Sequence, residues 1–175
     1  KYAGIAVFKN DKLVDWFNEE ESKGYGYIMG HVDNSAGHVD CPNGGHVALE
    51  VIRTKTRIKG SIVDGEPRIK VNLFVEENIG EVQCALDLTK PETLRRIEEW
   101  GEEKLTRILE SAIAKAKKNK ADVFGFGHAI EDARPAQWTR LQRDWDERFA
   151  RMDVAVSVKV KLRRLGTITN AIYDE

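Results

Sequence analysis

The 175 residues carry 28 Lys and Arg against 29 Asp and Glu, a formal net charge of −1, with 41% hydrophobic and 33% charged residues. A chain of this length and composition can bury a real core, is too apolar to be a disordered segment, and has no global positive field to attract nucleic acid. No apolar run is long enough to cross a bilayer, and two cysteines are too few for a disulfide framework.

The chain opens Lys1-Tyr2-Ala3-Gly4 without a signal-peptide pattern and runs straight into a strand-like segment, as a domain from inside a longer protein would. Residues 4–9 (GIAVFK) and 12–17 (KLVDWF) are rich in β-formers and flank the turn pair Asn10-Asp11, which predicts a β-hairpin. Asn18 precedes Glu19, Glu20 and Glu21. An N-cap residue followed by anions marks a helix start, because free N–H groups and the helix dipole favour both. Gly24, Gly26 and Gly30 weaken that helix, so a short one is expected.

Residues 31–47 read HVDNSAGHVDCPNGGHV, placing His31, His38, Cys41 and His46 close together. Zinc takes four N or S ligands, commonly in close pairs. Only His38 to Cys41 and Cys41 to His46 resemble such pairs. The interleaved Asn34, Ser35, Gly37, Pro42, Asn43, Gly44 and Gly45 are turn residues. The segment therefore reads as two turns joined by a short strand over 37–41, with the histidines exposed at the ends. A metal site, or a thiol pair of Cys41 with His38 or His46, is the competing reading. Nothing indicates that Cys41 and Cys84 approach closely enough to bridge, so unpaired cysteines are the favoured reading and a single bridge between them is the open alternative.

Residues 47–59 and 68–77 are the clearest strands. Ile69, Val71, Leu73 and Val75 alternate with Arg68, Lys70 and Asn72, which buries one face and wets the other. In the earlier strand the apolar parity slips at Val51-Ile52, which suggests a bulge or a change in which side is covered. Asp64-Gly65 lies between the two strands, so they should pair antiparallel. Two basic rows, Arg53/Lys55/Arg57 and Lys159/Lys161/Arg163, are solvated strand faces or a stripe for anionic lipid or an acidic partner.

Thr89-Lys90-Pro91-Glu92 has the form of a capping box with Pro in the first turn, and opens a helix to about Asn119. Its buried face is Leu94, Ile97, Gly101, Leu105, Ile108, Ala112 and Ala116. Asp122 reads as another N-cap, with helix over 123–149 interrupted near Pro135. Trp138, Trp145 and Phe149 share one helical side, which reads as a core stripe, with an aromatic anchor for a partner as the alternative. Gly125-Phe126-Gly127-His128 opens this helix, but Ile130 stands where a dinucleotide fingerprint needs its third glycine. No serine lies in a G-x-S-x-G elbow. A final strand carries Val154, Val156, Val158, Val160 and Leu162 in alternation. Strands first, helices next and one returning strand predict a single α+β domain over 1–175, with a largely antiparallel sheet and helices packed against it.

Several segments together resemble a known family. GIAVFKNDKLVDWFNEEESKGY, CPNGGHVALEVIRTKTRIK, NIGEV, DVFGFG, WTRLQRDWDERF and the closing VKVKLRRLG occur in this order. They are similar to the C-terminal domain of the Ger(x)C (GerAC-like) spore germination proteins, the C subunits of nutrient germinant receptors. The resemblance implies a lipoprotein anchored on the outer surface of the spore inner membrane, acting with integral-membrane A and B subunits. It implies a non-catalytic scaffold or interaction module, with no cofactor or metal. A germinant-binding module is the alternative, and a metal- or thiol-dependent hydrolase built on the 31–46 loop is a remoter one. The residues that match the family pattern are Asp122, Phe124, Gly125, Gly127, Trp145, Asp146 and Glu147, in a structural or an interaction role.

Overall fold

The computed structural model describes residues 4–165. Lys1 to Ala3, and Gly166 at the end of the VKVKLRRLG segment, lie outside the described residues. The elements in chain order are β1 (Ile5–Lys9), β2 (Lys12–Phe17), α1 (Glu19–Met29), β3 (Ala36–Asp40), β4 (His46–Val63), β5 (Glu66–Val82), α2 (Pro91–Lys118), α3 (Phe126–Ala133), α4 (Pro135–Leu141), a 3₁₀ turn (Gln142–Asp144), α5 (Trp145–Arg151) and β6 (Asp153–Leu165). β1 and β2 form a two-stranded antiparallel sheet. The other strands form a four-stranded sheet in the order β3-β4-β5-β6, with β3 antiparallel to β4. This is the α+β class that the sequence predicts.

The residues group into two compact units. The first takes the chain up to His31, then Thr56–Leu73 and Thr106–Ser157; the second takes Val32–Lys55, Phe74–Leu105 and the chain from Val158.

In the first unit, Asn18 caps α1 as expected. Its side chain accepts from Glu21 N at 2.9 Å, and Glu21 returns the bond to Asn18 N at 2.8 Å. The helix runs through Gly24 and Gly26 to Met29 and ends at left-handed Gly30. Gly24 is needed for contact: a Cβ there would sit 2.5 Å from the Ile108 carbonyl and 2.8 Å from Ala112. Asp64 and Gly65 both have positive φ, which gives the tight turn between β4 and β5. Ile69, Val71 and Leu73 of β5 are buried, as are Phe17, Ile28, Leu109, Ala112, Phe126, Ile130 and Phe149. The helical stretch expected over 123–149 is broken twice, at Arg134 before Pro135 and at the 3₁₀ turn over 142–144. Trp138 therefore lies on α4 while Trp145 and Phe149 lie on α5, yet the aromatic group still packs inward.

In the second unit, Val39, Cys41, Val47, Leu49, Ile79, Cys84, Leu88 and Ile97 form one core cluster. In β4 the buried positions are Val47, Leu49 and Val51, while Ile52 and Arg53 are exposed; from Thr54 onward the even positions are the more buried. The parity slip read at Val51-Ile52 is thus where the covered side changes. The expected Thr89 capping box takes another form. The Thr89 hydroxyl donates to Asp87 at 2.5 Å, and Thr89 N donates to the same carboxylate at 3.0 Å. Two glutamates of α2 serve β6 instead: Glu102 accepts from Val160 N at 3.2 Å, and Glu98 from Leu162 N at 3.0 Å. Alternate N–H groups of the strand are satisfied by side chains, which protects that stretch from pairing with another chain.

Candidate functional site

The 31–46 segment is closed on itself. β3 and β4 pair with Val39 opposite Val47 and Asp40 opposite His46. The turn between them is held by Cys41 N donating to Gly45 O at 3.0 Å and Gly44 N donating to Cys41 O at 3.1 Å. Gly44 and Gly45 both have positive φ, and a Cβ on Gly45 would collide with the Gln83 carbonyl. That close approach delivers Cys84 to Cys41. The two form a disulfide with Cα atoms 6.5 Å apart, which corrects the expectation of unpaired cysteines. The bridge engages both sulfurs, so no thiolate is free there for nucleophilic or zinc chemistry. The His38 and His46 rings lie 5.4 Å apart. His38 Nε2 is 3.8 Å from Asp40. Among the described residues, no group of three or more His, Cys, Asp or Glu side chains is arranged to hold a metal. His31 follows the Gly30 helix end, and its N–H donates to Gly26 O at 2.9 Å.

The 122–147 signature is a clamp. Asp122 Oδ1 accepts from Phe126 N at 2.9 Å, and Oδ2 accepts from Gly127 N at 2.7 Å and from Trp145 Nε1 at 3.0 Å. One carboxylate thus covers the N-terminus of α3 and ties it to α5. Gly125 is the formal cap residue, with φ of 71°. Gly127 leaves room for the indoles: a Cβ there would lie 2.8 Å from Trp138 and 3.1 Å from Trp145 Nε1. The Trp138 and Trp145 rings meet edge-on at 5.0 Å, and Phe124 stacks on Phe126 at 5.1 Å. Asp146 pairs with Lys9 at 2.7 Å and Glu147 with Lys120 at 2.5 Å. The structure thus brings Asp122, Gly125, Gly127 and Trp145 together, Phe124 lies against the same helix start, and Asp146 and Glu147 pair outward with lysines.

The β1–β2 hairpin has two unlike faces. Val7 and Phe17 point inward and are buried. Asp15, opposite Val7, accepts from Asn119 Nδ2 at 2.8 Å and pairs with Lys115 at 3.0 Å. Those bonds, with the Asn119 amide foremost, hold the Asp15 carboxyl down at about 2. On the other face Ala6 lies opposite Trp16 and Phe8 opposite Leu13. Phe8 is 57% exposed, Leu13 48%, Val14 40% and Trp16 57%. Single exposed apolar side chains are ordinary; here four of them, two aromatic, stand on one short hairpin. The sequence carried a usable signal, since apolar residues occupy both parities of strands this short.

The second unit holds two adjacent carboxylates of opposite character. Glu76 is caught between Arg163 and Arg53, and these guanidiniums, Arg163 foremost, pull its carboxyl below the usual range. Lys159 pairs with Glu102 at 2.9 Å and Lys161 with Glu98 at 3.2 Å, so the second basic row is largely neutralised. Glu77 is 5% exposed and its Oε2 has no hydrogen-bond partner. Burial pushes its carboxyl up to about 7. In the first unit, Ile62, Asp64, Gly65, Glu66, Gln137, Arg140, Leu141 and Arg148 line a cleft of about 310 Å³.

The chain is thus an α+β protein in which Asp122 joins the start of α3 to Trp145 and the β1–β2 hairpin leaves apolar side chains exposed. The family model described as "Spore germination B3/ GerAC like, C-terminal" matches residues 3–166, and the chain belongs to this Ger(x)C spore germination family. Among curated relatives it is similar to "Spore germination protein KC" of Bacillus subtilis (strain 168), at 30% identity over 98% of this chain and 43% of the relative. It is also similar to "Spore germination protein B3" of the same organism, at 25% identity over 96% of this chain and 46% of the relative. The chain thus spans less than half the length of these relatives. Among solved structures it resembles the crystal structure of the GerBC protein, with a TM-score of 0.83 and 23% identity over 94% of this chain and 52% of that one.

Proposed function

We propose that this chain is the C-terminal, non-catalytic domain of the C subunit of a spore nutrient germinant receptor, and that it acts as an interaction module. In this reading the full protein is a lipoprotein on the outer surface of the spore inner membrane, and the domain docks the integral-membrane A and B subunits. The observation that carries the reading is the β1–β2 face, where Phe8, Leu13 and Trp16 stand exposed on a hairpin whose opposite face is anchored. A few side chains, with Trp prominent among them, supply most of the binding energy at protein interfaces, which makes Trp16 the anchor of this face. The Cys41–Cys84 bridge supports a location outside the reducing cytoplasm. The clamp residues Asp122, Phe124, Gly125, Gly127 and Trp145 act in this reading by holding α3 to α5, while Asp146 and Glu147 pair outward.

The test is a Phe8→Ser/Trp16→Ser variant of the full-length protein in spores. We expect unchanged protein level, loss of co-purification with the A and B subunits, and loss of nutrient-triggered germination. Normal assembly and germination would reject the reading.

One observation favours germinant binding as the second reading. The cleft beside the Asp64-Gly65 turn presents Asp64 and Arg140 as well as a buried Gln137 Oε1 without a partner. Acid, cation and amide at one cleft suit a small zwitterion such as a free amino acid. Calorimetry of the chain with amino acids and sugars decides it, a silent titration leaving the interaction module alone.

A further inference from the structure

The β4–β5 hairpin of the first unit carries an unneutralised cationic face. The two-residue turn at Asp64-Gly65 sets position 63 opposite 66 and position 61 opposite 68. The Ser61 hydroxyl bonding to Arg68 O keeps that register, and so does the Arg53–Glu76 ion pair further along. Continuing it sets Lys59 opposite Lys70 and Arg57 opposite Asn72. Ile69, Val71 and Leu73 are buried, so the alternating Arg57, Lys59, Arg68 and Lys70 lie on the other face, and all four are exposed. At cross-strand spacings of about 5 Å and same-strand spacings of about 7 Å they form one tight group.

Most of the other strand cations on this sheet are neutralised. Arg53 and Arg163 share Glu76, Lys159 has Glu102, and Lys161 has Glu98. At the turn end of the same face, Glu66 is taken by Arg148. Arg57, Lys59, Arg68 and Lys70 enter no ion pair among the described residues. In a chain of net charge −1 they are a local excess. Like charges set directly opposite one another destabilise a hairpin, and an external anion relieves that repulsion.

We propose that this face docks on an anionic phospholipid surface. Four side-chain cations spread over two neighbouring strands, with no acidic partner among the described ion pairs, complement a continuous sheet of headgroup charge. Basic residues held at such a surface each contribute on the order of 1 kcal/mol at physiological ionic strength. The proposal deepens the membrane-tethered reading, but its experiment does not depend on that reading, because it uses the 175-residue chain and synthetic vesicles.

The measurement is co-sedimentation with vesicles of phosphatidylcholine alone, and of phosphatidylcholine with about one-third phosphatidylglycerol. We expect binding to the anionic vesicles only, and its loss when salt is raised from about 0.05 M to about 0.5 M. The Arg57→Gln/Lys59→Gln/Arg68→Gln/Lys70→Gln variant should bind about a thousandfold more weakly, with a thermal melt equal to or slightly above that of the wild type, because the four side chains are exposed and a like-charge repulsion is removed. The smaller change Lys59→Gln/Lys70→Gln should cost about thirtyfold. Arg95→Gln/Lys118→Gln, an equal loss of charge from exposed positions of α2, should cost little. The proposal fails if anionic vesicles are not bound at low salt, or if the α2 pair matters as much as the hairpin pair. It also fails if the four residues bind poly-glutamate and not vesicles, which would make the face a site for an acidic protein.

Discussion

The two stretches that most resemble functional sites in the sequence, and the two hairpin faces that do not, divide the labour of this domain in an unexpected way. The 31–46 loop and the 122–147 signature hold the histidines, the cysteine, the glycines and the tryptophans that draw the eye. In the structure their polar atoms are largely used on each other: Cys41 on Cys84, and Asp122 on Phe126 N, Gly127 N and Trp145 Nε1. The outer faces of β1–β2 and β4–β5 have the composition of ordinary strands, yet they leave Phe8 and Trp16, and Lys59 and Lys70, facing solvent. A distinctive motif can be distinctive because its backbone is hard to build. Gly45 beside the Gln83 carbonyl and Gly127 against two indoles are such positions. A surface that meets a partner needs only exposure and the right chemistry.

The sharpest way to break this contrast is to remove the bridge. Cys41 and Cys84 are separated by 43 residues. Closing a loop of that length stabilises the fold by about 4 kcal/mol in the chain-entropy treatment. The Cys41→Ser/Cys84→Ser variant should therefore show the largest loss in denaturant unfolding, and dithiothreitol should lower the wild-type transition and leave the variant's unmoved. If the midpoint does not change, the loop is not held by its bridge and its side chains become available for another role.

Next in size is the clamp. Asp122→Ala leaves two helix-start N–H groups and an indole N–H without their acceptor. We expect a loss of about 3 kcal/mol, with Asp122→Asn recovering roughly half, because the amide oxygen can still accept from one side. Near-ultraviolet circular dichroism should change in the same variants, since Trp145 loses its partner. An Asp122→Ala protein with wild-type stability and abolished germination would instead put the signature in the functional surface.

How far the sequence could have led to this picture depends on the distance over which each constraint acts. Local rules served well. Asn10-Asp11 and Asp64-Gly65 turn where their chemistry demands, Asn18 and Glu21 form a reciprocal cap, and α2 buries Ile97, Leu105, Ile108, Ala112 and Ala116 at helical spacing. The bridge was not legible, because nothing within a few residues of Cys41 or Cys84 encodes their meeting; it depends on Gly45 admitting the 83–84 strand end. The breaks at Arg134 and at 142–144 were only half legible, Pro135 announcing the first and nothing announcing the second. The basic rows were half legible for a related reason. Periodicity shows that Lys159, Lys161 and Arg163 share a face, but not that Glu102, Glu98 and Glu76 reach them from elsewhere in the chain. The seven signature residues were found from the family pattern, and their bonding needed the fold.

Glu77 is where the contrast is least secure, and the smallest predicted effect tests it. Unlike Asp122, this carboxylate is buried with an oxygen that accepts from nothing, and burial raises its carboxyl to about 7. The unfolded chain ionises the same group near 4.3. Below about pH 4 the group is protonated in both states and costs nothing. Between there and pH 7 the unfolded state loses its proton first, so the native state loses stability as pH rises; above 7 the penalty is constant. A difference of this size corresponds to roughly 3–4 kcal/mol at full burial, reduced by whatever relaxation admits water. Glu77→Gln cannot ionise, so its unfolding free energy should lack this decline between pH 4.5 and 7 and exceed the wild-type value by about 1–2 kcal/mol at pH 8. A wild-type protein with the same pH profile as the variant would mean that Glu77 is ionised and partnered. The second unit would then hold no buried unpartnered carboxylate among its described residues, and Asn78 Oδ1 would be left as the buried side-chain oxygen of β5 that accepts from nothing.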